Sequence, residues 1–294
     1  MMSIPSHQLD AFYKVAQTLS FSKAARELLI GQPALSQRVA ALEESLQTTL
    51  FERSASMVRL TEAGQRLLRY CEKRASLEAE VIDQLVSTDD HLKGRIRIAG
   101  SSTVLGAVGV AALEGFLKKH PRIQPEFLVK QLSELPDLLV RGKADFVILD
   151  RVINREGVES VFIGHEVYAV FESPRIQGDL TEVYYDTFEE DYLTKNFFSY
   201  HKGQGEKVPA KFRRDFTGDV NVMMDLVERG LGRAVLPIHL VHGNRKIRRC
   251  DKFKRLYKEP LYLCFWHTEF PSQLFKILKE ELLRESKDIL IESI

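Results

Sequence analysis

The sequence predicts an α/β protein in two parts: an N-terminal unit dominated by helices and a larger C-terminal unit in which strands and helices alternate. Three observations carry this. Apolar residues recur at helical spacing from Leu9 to Leu46. A helical pattern without proline, and without glycine after Gly64, runs from Glu62 to about Leu85. From Gly94 onward, short apolar runs and amphipathic stretches take turns, the pattern of a mainly parallel sheet. The 294 residues suffice for about two domains with separate cores, and 44% hydrophobic with 28% charged residues is the composition of a folded globular protein.

Leu9, Phe12, Val15, Ala16 and Leu19 form the apolar side of a first helix. Ser20 and Ser22 offer caps for a short second helix, "KAARELL". "IGQP" then interrupts: Gly31 permits a tight turn, and Pro33 suits the first turn of a third helix, where its missing N–H has no intrahelical partner. In that helix Leu35, Val39, Leu42 and Leu46 align as a buried stripe. The opposite face carries Pro33, Ser36, Gln37, Ala40 and Ala41, small and amide-bearing rather than charged.

Two helices across a short glycine-containing turn, with Ala24 and Ala25 small enough for close crossing, fit a packed hairpin or a helix-turn-helix. In the second case the third helix enters the major groove. Gln32 and Gln37 match an adenine edge, and Ser36 is short enough to approach a base or phosphate. Lys23, Arg38, Arg53 and Arg59 are placed for phosphates, and Ser22 and Pro33 complete the candidate surface. Net charge is only +1, but Lys14 to Arg74 holds ten Lys/Arg against six Asp/Glu, while Glu78 to Asp90 carries acids alone. "TTLFERSASMVRLTEAGQRLL" continues as two short extended runs around a small-residue turn, followed by Thr61 as a helix cap with Glu62 in the first turn. That is a two-stranded wing leading into a long helix.

"FSKAARELLIGQPALSQRVAALEESL" (21–46), "LFER" (50–53) and "RLTEAG" (59–64) together resemble the LysR-type transcriptional regulators. The resemblance implies a winged helix-turn-helix over 4–61, a linker and dimerisation helix over 62–92, and an effector-binding domain over 93–294. Three positions depart from the family pattern. Gly31 replaces a capping serine, Gln47 replaces the glycine after the third helix, and the wing tip Ser54–Met57 lacks basic residues. In the long helix Ala63, Leu67, Tyr70, Arg74, Leu77, Val81 and Leu85 follow the spacing of a coiled-coil seam, with Arg74 its awkward member.

After "HLKG", which reads as a hinge, "RIRIAG", "IQPEFLV" and "ADFVIL" are strands, and "LGAVGVAALEGFLKKHP" and "LSELPDLLVRG" are helices. "GDVNVMMDLVERGLGRAVLPIHLV" gives helix, turn, strand, helix, and "FKILKEELLRESKDILIESI" a final helix. The landmarks "GRIRI" (94–98), "RGKADFVI" (141–148) and "VERGLGRAVLP" (227–237) resemble the effector domain of the same family. They imply a periplasmic-binding-protein-like (type 2) fold of two α/β subdomains, about 93–163 with 262–294 and about 164–261. The effector would sit between the subdomains. Ser101, Ser102 and Thr103, at a strand end and helix start, are candidates for it, though they equally suit plain capping. Gln131 and Ser133 flank Leu132, which stands where the family usually has threonine, a departure from the usual carboxylate site.

Other signals are bland. "RKIRRCDKFKRLYK" (245–258) holds eight basic residues and one acid and reads as a solvated strand-and-turn face. His239 with His242, and Cys264 with His267, lack a partner pair, so neither metal nor cofactor is expected. No nucleophile elbow or phosphate loop supports catalysis, and no catalytic residue is assigned. Cys71, Cys250 and Cys264 are odd in number and far apart, "MMSIPSHQLDAF" lacks a secretory pattern, and no apolar run spans a membrane, so a cytoplasmic location is expected. The implied partners are an inverted-repeat operator in double-stranded DNA, a small-molecule effector, a second or further copies of the chain as homodimer or homotetramer, and RNA polymerase. "LEESLQTTLFER" and "DFVILDRVI" are somewhat similar to the branch that activates sodium/proton antiporter genes. The rival reading is a solute-binding or enzymatic α/β protein with an accessory helical domain.

Overall fold

In the computed structural model, residues 4–53, 57–86, 92–268 and 271–292 are described. The chain forms two compact units, Met1–Asp90 and His91–Ile294. Among the described residues no helix is long and apolar enough to cross a membrane.

In the first unit α1 (Ser6–Thr18), α2 (Phe21–Glu27) and α3 (Gln32–Ser45) precede the hairpin β1 (Phe51–Arg53) and β2 (Val58–Leu60), and α4 (Glu62–Val86) follows. Leu9, Phe12, Val15, Ala24, Leu35, Val39, Leu42 and Phe51 close one core. Burial of the Leu, Val and Phe side chains among them contributes roughly 1.5–3 kcal/mol each before entropy is counted. Leu46, the last residue of the stripe, is half-buried against it. Ser20 caps α2 by accepting from the Lys23 N–H, and Thr61 caps α4 by accepting from the Gly64 N–H at 3.0 Å. Glu43 reaches from α3 to take the Leu50 and Phe51 N–H groups at 2.7 and 3.1 Å, which anchors the start of the wing. Gly64 is required where it stands, because a Cβ there would lie 2.1 Å from the Leu50 carbonyl oxygen.

The turn between α2 and α3 differs from expectation. Gly31 is ordinary extended backbone, φ −66°, and serves as the N-cap of α3 without a side-chain bond. The left-handed residue is Leu29, φ 55°. The Leu29 N–H bonds to the Arg26 carbonyl and that of Ile30 to Ala25, the paired bonds of a Schellman ending. The α3 terminus repeats the device with Gln47 at φ 49°, its N–H on Glu44 and that of Thr48 on Glu43. The family's glycine is absent there, but the geometry that favours it is retained.

The second unit begins with β3 (Gly94–Gly100), then a continuous helical run made of α5 (Ser102–Val104), a π segment (Leu105–Val110) and α6 (Ala111–Lys119). β4 (Ile123–Val129), α7 (Leu135–Val140), β5 (Phe146–Leu149), β6 (Val158–Glu172) and β7 (Val183–Asp186) come next. α8 (Leu193–Gly203), β8 (Arg213–Phe216), α9 (Val220–Glu228), β9 (Arg233–Pro237) and α10 (Ile238–Val241) precede β10 (Arg248–Arg249), β11 (Tyr257–Trp266) and α11 (Gln273–Glu292). The strands form one sheet in the order β4-β3-β5-β11-β6-β9-β7-β8, with β10 beside β6.

The sheet is not parallel throughout. β3 with β4 and β5, and β7 with β8 and β9, are parallel groups at its two ends, but β6 and β11 run antiparallel to each other through the middle. Two long strands that pass from one subdomain to the other and back must run in opposite senses, a constraint that local periodicity does not carry. Their register slips at Leu261/Tyr262, opposite Gly164 and Phe162, leaving Ile163 unpaired in the ladder. The two parallel groups are covered on both faces. α6 and α11 pack with Ile98, Phe146 and Leu263, α7 with Ala99, Val147 and Leu149, α9 with Ala169 and Leu236, and α8 with Val170 and Tyr184.

Candidate functional site

The surface of the first unit places the predicted contacts on α2, α3 and the wing. Gln32, Pro33, Gln37 and Ala40 are exposed along α3, and Ser36 and Arg38 are half-exposed beside them. Ser22 and Lys23 are exposed at the start of α2, and the Ser22 hydroxyl donates to the Gln32 Oε1 at 2.9 Å. That bond fixes which way the Gln32 amide faces and joins two candidate residues ten apart in sequence. On the wing, Arg59 is exposed, pairs in register with Glu52 and donates from Nε to the Met57 sulfur. The Arg53 backbone lies in β1, while its side chain and the wing tip at 54–56 fall outside what is described. Leu29 at the turn is 93% exposed, an apolar residue that periodicity alone assigns to no surface.

α4 exposes Tyr70, Leu77, Val81 and Ile82. Arg74, read as part of the same seam, instead serves its own unit: it binds Asp10 of α1 at 2.9 Å and Glu78 at 2.8 Å. Beside it Cys71 is buried, and burial pushes its thiol up to about 11. The His91 end of the expected hinge and the Leu85 side chain lie outside the described residues.

In the second unit Ser101–Thr103 and Gln131–Ser133 follow β3 and β4, and the Lys130 N–H binds the Gly100 carbonyl, so the two candidate groups lie beyond the C-terminal ends of neighbouring parallel strands. Ser101 caps the helix by accepting from the Val104 N–H, and its hydroxyl lies 3.2 Å from that of Thr103. The Gln131 N–H donates to Glu134 Oε2 at 3.3 Å, and Ser133 is exposed. Asp150 follows the C-terminal end of β5, which is parallel to β3.

The residues that sequence reading missed lie where β6 and β11 cross. Glu166 and Glu259 stand directly opposite each other, as do Tyr168 and Tyr257 two positions along. Tyr168 donates to Glu166 Oε2 at 2.5 Å and Tyr257 to Glu259 Oε1 at 2.8 Å. Burial, against the lowering effect of the Tyr168 bond and with further pushes from Glu259 and Asp150, raises the Glu166 carboxyl to about 7. Burial likewise raises Asp150 and Glu259, and the charge of Asp191 adds to both. His239 Nε2 lies 3.6 Å from Glu166 Oε1, but burial lowers its pKa and favours the neutral ring. A signal existed in "GHEVYAVFE": acids do not normally interrupt a buried strand without a partner.

Two surface cavities lie away from this crossing. One, about 170 Å³, lies between α1 and α4 around Asp10, Cys71 and Arg74, and the other at the sheet edge near Asp179 and Lys211. Among the described residues no cluster of three or more His, Cys, Asp or Glu is arranged to hold a metal ion.

A winged helix-turn-helix followed by a two-subdomain α/β unit defines a class of ligand-responsive DNA-binding regulators. Residues 6–65 match the bacterial regulatory helix-turn-helix protein of the lysR family, and residues 89–287 match the LysR substrate binding domain. The chain therefore belongs to the LysR family of transcriptional regulators. It is 28% identical to the RuBisCO operon transcriptional regulator of Allochromatium vinosum over 84% of both chains. It is 32% identical to a probable RuBisCO transcriptional regulator of Cyanidioschyzon merolae over 51% of this chain, which spans about half (49%) of that protein. In fold it is similar to the full-length LysG of Corynebacterium glutamicum with bound effector Arg, TM-score 0.76 at 20% identity over 98% of both chains. ArgP of Mycobacterium tuberculosis gives a TM-score of 0.77 at 20% identity, over 95% of this chain and 96% of the other.

Proposed function

We propose that the chain binds an inverted-repeat operator as a dimer or tetramer and that a small-molecule effector, held between the two subdomains, shifts the balance between two arrangements of the assembly. The observation that carries the reading is the exposed, amide-rich face of α3 backed by a fully buried Leu35/Val39/Leu42 stripe. On this reading Gln32, Ser36 and Gln37 read bases, and Ser22, Lys23, Pro33, Arg38, Arg53 and Arg59 set the backbone register. Ser101, Ser102, Thr103, Gln131 and Ser133 form the rim of the effector site. The working division remains 4–61, 62–92 and 93–294, with subdomains near 93–163 plus 262–294 and 164–261. The protein acts in the cytoplasm, without catalysis and without a metal or cofactor, and RNA polymerase is the partner through which it acts.

The test is footprinting on the DNA upstream of its own gene at moderate salt. Gln37→Ala changes the preferred base at one position of each half-site by about 1–3 kcal/mol, whereas Arg38→Ala weakens binding evenly across sequences and flattens the salt dependence by about one ion. Uniform weakening by both variants removes the assignment of the face, and no specific footprint removes the function in favour of a solute-binding or enzymatic one.

A further inference from the structure

The buried acids of the second unit obey a rule, with one exception. Glu172 pairs with Arg233 at 2.7 Å and Arg248 at 3.2 Å. Asp186 pairs with Arg214 at 2.5 Å and accepts from Thr194. Burying a carboxylate is costly unless a cation or hydrogen bonds replace its water. At the crossing of β6 and β11, among the described residues, neither Glu166 nor Glu259 has a Lys or Arg within salt-bridge distance, yet Glu166 is only 3% exposed.

A second feature singles out this place. Glu166 Oε1 is buried with no hydrogen-bond partner, while Oε2 is engaged by Tyr168. Its cross-strand neighbour is Glu259, and the His239 ring at 3.6 Å has a buried Nε2 that is likewise unpartnered. Asp150, at the end of β5, and Asp191, before α8, bring one carboxylate from each subdomain to the same field, since Asp150 acts on both glutamates and Asp191 on Glu259. Asp191 itself is occupied in holding Thr187 and the Leu193 N–H. Such a site is built to receive positive charge. The absence of a metal-binding cluster among the described residues argues for an organic cation with N–H donors rather than a bare metal ion.

We propose that the effector of this chain is a small organic cation whose protonated nitrogen donates to Glu166 Oε1 and to Glu259. This deepens the regulator reading and rests on it. The ligand satisfies the orphaned Glu166 Oε1 and draws both subdomains onto the crossing strands. Glu166 Oε1 is buried, so entry requires the subdomains to part about β6 and β11.

The experiment is calorimetric titration and thermal unfolding of the full chain at pH 8 with putrescine, agmatine and n-butylamine. Succinate, benzoate and sodium chloride at matched ionic strength are the comparison arms. At least one amine raises the melting temperature saturably and binds, while succinate, benzoate and sodium do not. Glu166→Gln and Glu259→Gln each lower that affinity at least tenfold, and Glu172→Gln, at the already paired cluster, leaves it within twofold. Loss of folding in one glutamine variant leaves the other to decide. The inference is overturned if all three amines are silent, if succinate, benzoate or sodium gives the saturable shift instead, or if both glutamine variants retain wild-type amine affinity. Footprinting the same wild-type preparation separates the two claims: a specific footprint with silent amines sinks only the cation, and no footprint sinks the regulator reading itself.

Discussion

Individual residues carry the local costs of this chain. Gln47 holds φ 49° at the end of α3, in a region that disfavours any residue with a Cβ by about 1–2 kcal/mol. It is exposed, so its side chain gives little packing in return. Gln47→Gly is expected to stabilise the first unit by about 1 kcal/mol in urea unfolding, after the larger unfolded-state freedom of glycine is deducted. Glu166 carries a different cost. Its carboxyl sits near 7 in the folded chain against an ordinary value near 4.5, so the folded state binds the proton more tightly than the unfolded state. The associated stability is therefore complete below about pH 4.5 and is lost as pH rises through about 7. Tyr168, Glu259, Asp150 and His239 face the group, and none holds a fixed positive charge. Glu166→Gln is expected to match the wild type near pH 4.5 and to exceed it by up to about 3 kcal/mol at pH 8, read from the pH dependence of unfolding. A variant less stable than wild type at pH 8 removes the raised carboxyl as the explanation.

At the scale of elements, the amphipathic patterns were legible because burial repeats with the helix. Leu35, Val39 and Leu42 are fully buried and the face opposite is open, as a 3.6-residue period dictates. The same period failed at Arg74, which satisfies it by position but is bound to Asp10 of α1, a contact 64 residues away that no local pattern encodes. Without Arg74, α4 still presents Tyr70, Leu77, Val81 and Ile82 to solvent. An apolar row of this kind on an exposed helix is covered by a second copy in the proposed dimer. Val81→Glu is expected to shift the protein from dimer to monomer in sedimentation velocity and to weaken operator binding at least tenfold, with helix content unchanged by circular dichroism. A variant that stays dimeric assigns the contact to another surface. The turn before α3 adds a further lesson: glycine was the natural candidate for it, yet Leu29 takes the left-handed position because the Schellman bonds fix that site relative to the helix end, not relative to the nearest glycine.

For the whole molecule, the family, the three-helix unit with its wing, the long helix and part of the element order beyond Gly94 were legible along the chain, whereas β6, β7, α8, β8 and β11 were not. The legible features are properties of neighbours along the chain: caps, periodicity, turn residues and the spacing of a motif. Tertiary structure alone decided the rest. The antiparallel middle of the sheet follows from two strands that cross between subdomains, and the meeting of Glu166 with Glu259 joins positions 93 residues apart. Cross-strand register places these two acids side by side, and burial removes the water that would have made their proximity cheap. A linear pattern records that each is an acid in an apolar strand. Only the pairing of the strands makes them one site, because the energy that gives them a role depends on distance and solvent, and neither is a property of sequence order.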